Sequence, residues 1–370
     1  MKVIDEGCVF DAERAAGPRK VCFCTSFRLA RSGIILATFR LGSTKDSADG
    51  NCLVAQSPDC GRTWEIITNG FERIVAGAPG EIRVCELAEL NDGALLAFLL
   101  WVDRSSGKTL YNGATDRVLP TKLVMTRSED QGRTWNPYKT LTTGSLGGPA
   151  LSGPTVHIPG KGWLVPFENF QPGKGTHSAH ALFSSDGKSF DRILQVARDP
   201  SNRLWFFDQR HAWCPTTRRL VAMFWTYDRT TERDVDVHIA WGDPENLTWE
   251  APFSTGLQGQ VAQPIPLPDG RLLAFYVHRH APPSLRLIVS EDGGKTWDRS
   301  GETAIYESGG GKQKGLNGES DYAQYWDDML TNWNFGHPTG VVLNDGTVLL
   351  GYYAGNDAKC LSAWWARVQI

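Results

Sequence analysis

An eight-residue pattern, Ser-x-Asp-x-Gly-x-Thr-Trp, occurs three times in full in this chain, at Ser57–Trp64, Ser128–Trp135 and Ser290–Trp297. A shortened copy reads Ser184-Ser-Asp186-Gly187-Lys-Ser189-Phe190, and a fainter trace links Gly242-Asp243 to Leu247-Thr248-Trp249. Three full matches are not chance. Their recurrence at roughly fifty to seventy residues marks a repeat architecture. In such a chain each unit buries its faces against its neighbours, so the repeat constrains the fold before composition does.

A second element precedes each copy: a turn followed by an apolar run. It appears as Ser32–Phe39, Asn91–Phe98, Gly160–Phe167, Thr217–Phe224, Asp269–Phe275 and Asp345–Tyr352. Asp-Gly and Asn-Asp-Gly are hairpin turns, because glycine accepts a positive φ without a Cβ clash. The runs are too short and too rich in β-formers for helices, and too continuous for half-exposed strands, so they read as strands buried on both faces. Each unit is then strand, Asp-Gly hairpin, buried strand, loop, strand, motif hairpin, strand. The expectation is an all-β, six-bladed β-propeller in one domain spanning 1–370, closed by pairing Val3 to Phe10 with the C-terminal strands. A long insertion at about 308–334, opening Gly309-Gly-Gly311-Lys-Gln-Lys-Gly315, reads as a loop over one face. The repeated motif itself reads as structural: Asp holds a turn, Gly supplies the positive φ and Trp packs between neighbours.

The net charge of −3 and the lack of a basic run argue against a nucleic-acid partner. Met1-Lys-Val-Ile-Asp-Glu6 has no apolar signal core and no segment reaches membrane-spanning length, so no membrane association and a cytoplasmic location are expected. The eight cysteines show neither zinc-ligand nor redox spacing. They read as free thiols, and no metal or other cofactor is expected.

Hairpin geometry says where a site belongs. The start of the first strand and the end of the second lie together, opposite the Asp-Gly turn. The chain ends brought to that mouth carry Arg40, Asp46, Arg83, Arg104, Glu168, Asp208, Arg210, Tyr227, Gln263, His278, Arg279 and His337. Arginine with carboxylates suits an anionic ligand, and aromatic faces suit sugar rings.

These motifs on a six-bladed propeller resemble the sialidase superfamily, also called the BNR- or Asp-box-repeat proteins, over essentially the whole chain. The order Arg40, Asp46, Ser57 is similar to the family's order of arginine, acid/base aspartate and motif serine. The resemblance therefore implies Asp46 as acid/base with Arg40 beside it, and Asp49 as fallback in the same loop. The chain also departs from the family. Val21-Cys22-Phe23-Cys24 stands where the family has its first carboxylate-binding arginine, and Trp225-Thr226-Tyr227 where it has the second. Arg279 or Arg286 stands for the third. Asp208-Gln209-Arg210 replaces the glutamate of the nucleophile pair, and His337 the tyrosine.

The expected function is a sialidase-like glycoside hydrolase acting on an anionic or unusual sugar by general acid/base catalysis. Asp46 serves as acid/base, with Glu168 or Asp208 as second carboxylate. His337 and His278 move or orient protons, and Arg40, Arg210, Arg279, Tyr227 and Gln263 bind the carbohydrate. A polysaccharide lyase acting on a uronate and a non-catalytic glycan-binding propeller are the alternatives.

Overall fold

A computed structural model of the chain describes residues 1–115, 117–171, 176–309 and 322–370. The hairpin turns form as the sequence implies. Gly33, at φ +85°, donates its N–H to Ala30 O at 2.9 Å, and the same closure recurs at Gly93, Gly270 and Gly346. The fourth turn has no glycine, and there Arg218 takes the positive φ instead (+52°). The apolar runs are the buried strands: Ile35–Gly42 is buried at every residue and Leu95–Asp103 at all but the last.

The described strands form sheets of eight, two, five, five, six and four strands, antiparallel throughout except at one pair. Val21–Leu29, Ile35–Gly42, Asn51–Ser57 and Glu65–Thr68 pair in chain order. So do Ala78–Glu89, Leu95–Asp103, Thr121–Ser128 and Lys139–Thr140. Pro149–Leu151 and Val156–Ile158 both pair with Gly162–Gln171, followed by Thr176–Ser184 and Arg192–Ala197. Leu204–Cys214, Arg219–Asp228 and His238–Asp243 make the next group. Ala262–Pro266, Leu272–His278, Ser284–Ser290 and Thr303–Glu307 follow. Last come Phe335–Val342, Val348–Asp357 and Cys360–Gln369. Lys2–Phe10 pairs antiparallel with Cys360–Gln369, so the N-terminal strand completes the C-terminal group as expected. The single parallel pair, Val21 with Leu361, is what joins the first and last groups into the eight-stranded sheet.

A cavity of about 310 Å³ is lined by the first strand of every group, through Phe27, Leu87, Val156, Ala212, Ile265 and Val341 among others. These strands therefore surround a common axis. On the same strands, residues nearer the open ends line a second cavity: Phe23 and Cys24 instead of Phe27, Arg83 instead of Leu87, Asp208 instead of Ala212. The two cavities are the two ends of one central channel.

Part of the 308–334 insertion, residues 310–321, lies outside the described residues. The part that follows is not a loop: Tyr322–Thr331 is an α-helix, and Trp326 and Met329 line the second cavity. Apolar residues three and four apart put Trp326, Met329 and Leu330 on one face, which docks over the channel. Buried Lys45 donates to Met329 O and Trp333 O and so fastens the C-terminal end of the helix and the turn after it to the mouth. Ten residues are too few for the periodicity to stand out in the sequence; the helix takes its stability from docking. Among the described residues no helix is long and apolar enough to cross a membrane, and all eight cysteines are free thiols.

Candidate active site at the channel mouth

The strands that line the channel are bulged where they reach the second cavity. Pairing slips between Phe23 and Ser26, between Ile82 and Val84, between Phe207 and Arg210, and between Gly336 and Thr339. A bulge bends its strand and re-aims a side chain. Cys24 (φ +54°), Asp208 (+45°) and His337 (+48°) sit at these slips in the left-handed region, which side chains other than glycine's rarely occupy. The result is that Cys24, Arg83, Asp208 and His337, from four different strands, face one cavity of about 140 Å³ together with Glu168. Phe23, Phe207, Trp225 and Trp326 supply aromatic walls.

Glu168 and Asp208 are the carboxyl pair of this cavity. Glu168 Oε1 accepts the backbone N–H of Gln209 at 3.2 Å, and Oε2 lies 3.2 Å from His177 Nε2. His177 is itself fixed edge-on against Phe207, ring centres 4.6 Å apart. Asp208 makes no hydrogen bond through its carboxyl among the described residues. Burial, and next the charge of Glu168, push its carboxyl up to about 7 against the opposing pull of Arg210 and Arg83. It therefore stays protonated up to near-neutral pH while Glu168 offers acceptor oxygens.

His337 is held neutral. Burial first, then Arg210, Lys45, Arg83 and Arg279, keep its imidazole well below the usual histidine range. Arg210 Nη2 donates to His337 Nδ1 at 2.8 Å, which assigns the ring proton to Nε2, 3.7 Å from Cys24 Sγ. Burial pushes the Cys24 thiol up to about 12, so it is not a thiolate nucleophile.

The other residues expected at the mouth lie around this cavity rather than on it. Arg40 is fully buried, giving Nε and Nη2 to Glu81 at 2.9 and 2.6 Å and Nη1 to Thr44 O. Arg104 bonds both Glu81 and Asp46. The second Asp46 oxygen accepts from Leu110 N at 2.9 Å, and Asp46 lines an adjoining outer cavity of about 550 Å³. At the rim of that cavity Tyr111 stacks on Trp326, centres 5.0 Å apart and planes 14° apart. Arg279 donates to Gln260 Oε1 and Phe335 O and lies over the Trp333 ring at 4.2 Å. Tyr227 belongs to the aromatic packing around Phe207. His278 is buried beside His280, held down at about 4 by burial and then by Arg286. Gln263 lines the other end of the channel.

Several participants escaped the sequence reading. Glu81 centres the buried arginine network and His177 holds Glu168. Asp234 accepts from Trp225 Nε1 at 2.7 Å and Gln260 Nε2 at 2.9 Å, and burial pushes it up to about 6. None lies in the repeated motifs. The Asp-Gln-Arg run at 208–210, polar residues interrupting an otherwise apolar strand, was the one legible sign of a bulge. Among the described residues no group of three or more His, Cys, Asp or Glu is placed to hold a metal ion.

No protein-family model and no curated protein sequence matches this chain. Solved structures do. A protein of unknown function from Dyadobacter fermentans aligns over 100% of this chain and 99% of its own, with a TM-score of 0.76 and 18% identity. An α-L-arabinanase of Penicillium chrysogenum, solved with arabinobiose, aligns over 100% and 99%, with a TM-score of 0.64 and 14% identity. A Hadza microbial sialidase aligns over 99% of this chain and 68% of its own, with a TM-score of 0.68 and 15% identity. At such identities the likeness is one of fold, and the fold is the β-propeller shared by sialidases and arabinanases.

Proposed function

We propose that this chain is a six-bladed β-propeller glycoside hydrolase whose chemistry runs on Glu168 and Asp208. The blade count is supported by the six channel-lining strands, one from each antiparallel group. The repeated motifs then take the place of Asp boxes on the outer hairpins. The observation that carries the activity is the carboxyl pair: one group without a hydrogen-bond partner among the described residues, pushed up to about 7, and one accepting hydrogen bonds, on the same aromatic-walled cavity. Two carboxyls in unlike environments are the usual apparatus of glycoside hydrolysis. Asp208 gives its proton to the leaving glycosidic oxygen. Glu168 either activates water or attacks the anomeric carbon, and the separation of the two groups across a bound sugar assigns inversion or retention. His337, its tautomer set by Arg210, directs Nε2–H at Cys24 Sγ and is held as a neutral wall of the cavity.

The fold neighbours include enzymes solved with arabinobiose and with sialic-acid-related ligands, and both place a sugar on this fold. The stacked Tyr111 and Trp326 offer a flat aromatic face at the outer cavity for the part of the substrate that leaves. Asp46 faces that outer cavity and must leave Arg104 to exchange a proton, so its place in the proposal is at the leaving-group side. The test is a pair of variants assayed on a substrate the wild type cleaves. Asp208→Asn is expected to lower turnover about 100-fold or more with the fold intact. Asp46→Asn is expected to lower it far less. The reverse order returns the acid role to Asp46 and refutes the assignment to Asp208.

A further inference from the structure

We infer that the end of the channel opposite the carboxyl pair is a second binding site, which takes a small neutral polyol of the size of one sugar ring and does no chemistry on it; this goes beyond the hydrolase reading and does not rest on it. The cavity there is about 310 Å³, at the lower end of the range for small-molecule pockets, which suits a single ring. Its wall carries polar groups on four different strands that the protein buries without pairing them in full. Gln263, on Ala262–Pro266, is 3% exposed. Its amide is fixed by donating Nε2–H to Pro264 O at 2.9 Å, and its Oε1 has no partner among the described residues. Buried acceptors are rarely left so. Glu86, on Ala78–Glu89, accepts from Ser26 Oγ on Oε2 at 2.6 Å, and its Oε1 accepts nothing among the described residues. Arg28, on Val21–Leu29, donates from Nε to Leu87 O and from Nη2 to Thr155, which leaves Nη1. Thr339, on Phe335–Val342, accepts the Phe27 N–H and keeps its hydroxyl hydrogen.

That set decides the class of ligand. Arg28 and Glu86 are the charged groups on this wall, of opposite sign, and the two histidines beside them, His157 and His211, are both lowered by burial and stay neutral. A cation would meet Arg28, with Arg210 also close enough to act on Glu86. An anion would meet the Glu86 carboxyl and the bare Gln263 oxygen. A hydroxyl both donates and accepts, so a polyol answers the two acceptors and the two donors without bringing charge. Burial pushes Glu86 up to about 7, and its free oxygen suits a hydroxyl in either protonation state. Phe27, Trp213, Pro264 and Val341 give the C–H face of a ring an apolar bed. The cavity holds one carboxyl where glycoside hydrolysis uses two, so its ligand is held and not cleaved.

The experiment uses the full chain, with D-glucose, D-galactose and L-arabinose as probes and D-glucosamine and D-glucuronate as their charged counterparts. Tryptophan fluorescence is titrated in the wild type and in Trp213→Phe, Gln263→Leu and Asp208→Asn. At least one neutral sugar is expected to change the emission saturably. The change should vanish in Trp213→Phe, weaken in Kd by about tenfold or more in Gln263→Leu, and persist in Asp208→Asn. A signal that survives Trp213→Phe and Gln263→Leu unaltered, or is lost in Asp208→Asn, places the ligand elsewhere and overturns the inference. Tighter binding of glucosamine or glucuronate overturns the neutral class. Should Gln263→Leu fail to fold, wild-type crystals soaked in the same neutral sugar carry the test. Sugar density between Glu86 and Gln263 upholds the site. Water alone there, or no saturable binding of any neutral sugar, overturns it. None of these outcomes is read from turnover, so the hydrolase reading stands or falls separately.

Discussion

The outer motif turns and the channel mouth both place carboxylates and residues of positive φ, and they do so by opposite physics. At Ser128–Trp135 everything is local. Ser128 Oγ donates to Asp130, accepts from Gly132 N, and Asp130 accepts the N–H and hydroxyl of Thr134. The same set of bonds recurs at Asp59 and Asp292, and in part at Asp186. These aspartates are solvent-facing. The N–H groups of Lys188 and Ser189 hold Asp186 down at about 2. At the mouth the partners come from distant parts of the chain. Arg40 meets Glu81 and Arg104 meets Asp46, while Asp208 meets Glu168 and is driven up by burial rather than down by hydrogen bonds. A carboxylate surrounded by donors is a fastener, whereas one deprived of them is a reagent.

The largest expected effect tests the mouth as a buried electrostatic unit. Glu81→Gln strands Arg40, Arg83 and Arg104 around one neutral amide, and should cost about 3–5 kcal/mol in urea unfolding. A loss under 1 kcal/mol would mean that the network is solvated, and the contrast with the outer turns would fail. Next comes the proposed chemistry, where Asp208→Asn should cost turnover about 100-fold while the melting temperature stays within a few degrees of wild type.

Ser128→Ala probes the outer turn on its own. It leaves the buried Gly132 N–H without its acceptor and should cost about 1–3 kcal/mol in stability with turnover unchanged. A drop in turnover at constant stability would connect the turns to the mouth and dissolve the distinction. The smallest effect is a shift in titration. Because the charge of Glu168 raises Asp208, Glu168→Gln should lower the Asp208 midpoint from about 7, followed by carboxyl carbon NMR. Burial, the larger cause, keeps it above the ordinary aspartate value. For the wild type the sign is fixed: activity that uses protonated Asp208 falls as pH rises through about 7.

Hairpin and motif turns were legible because their own residues satisfy the local backbone, and buried strands because a short unbroken apolar run marks burial on both faces. Gly33, Asp130 and the apolar run Ile35–Gly42 act the same way in any copy. The terminal strand Lys2–Phe10 was legible for a related reason, since an unfinished C-terminal group needs a fourth strand. The helix at Tyr322–Thr331 was not, because docking and Lys45 stabilise it rather than its own ten residues. Sequence also brought Arg40, Asp46, Glu168, Asp208 and His337 to one end of the channel, as hairpin geometry requires. It did not tell which of them open onto a cavity and which are consumed in pairing. That was decided by bulges at Cys24, Arg83, Asp208 and His337, and by Glu81 reaching three arginines. A bulge is set by how a strand must bend against its neighbours, and an ion pair by which strands meet. Both are properties of the closed tertiary structure, which alone separated a fastened carboxylate such as Asp46 from one such as Asp208 that is raised by burial and by Glu168.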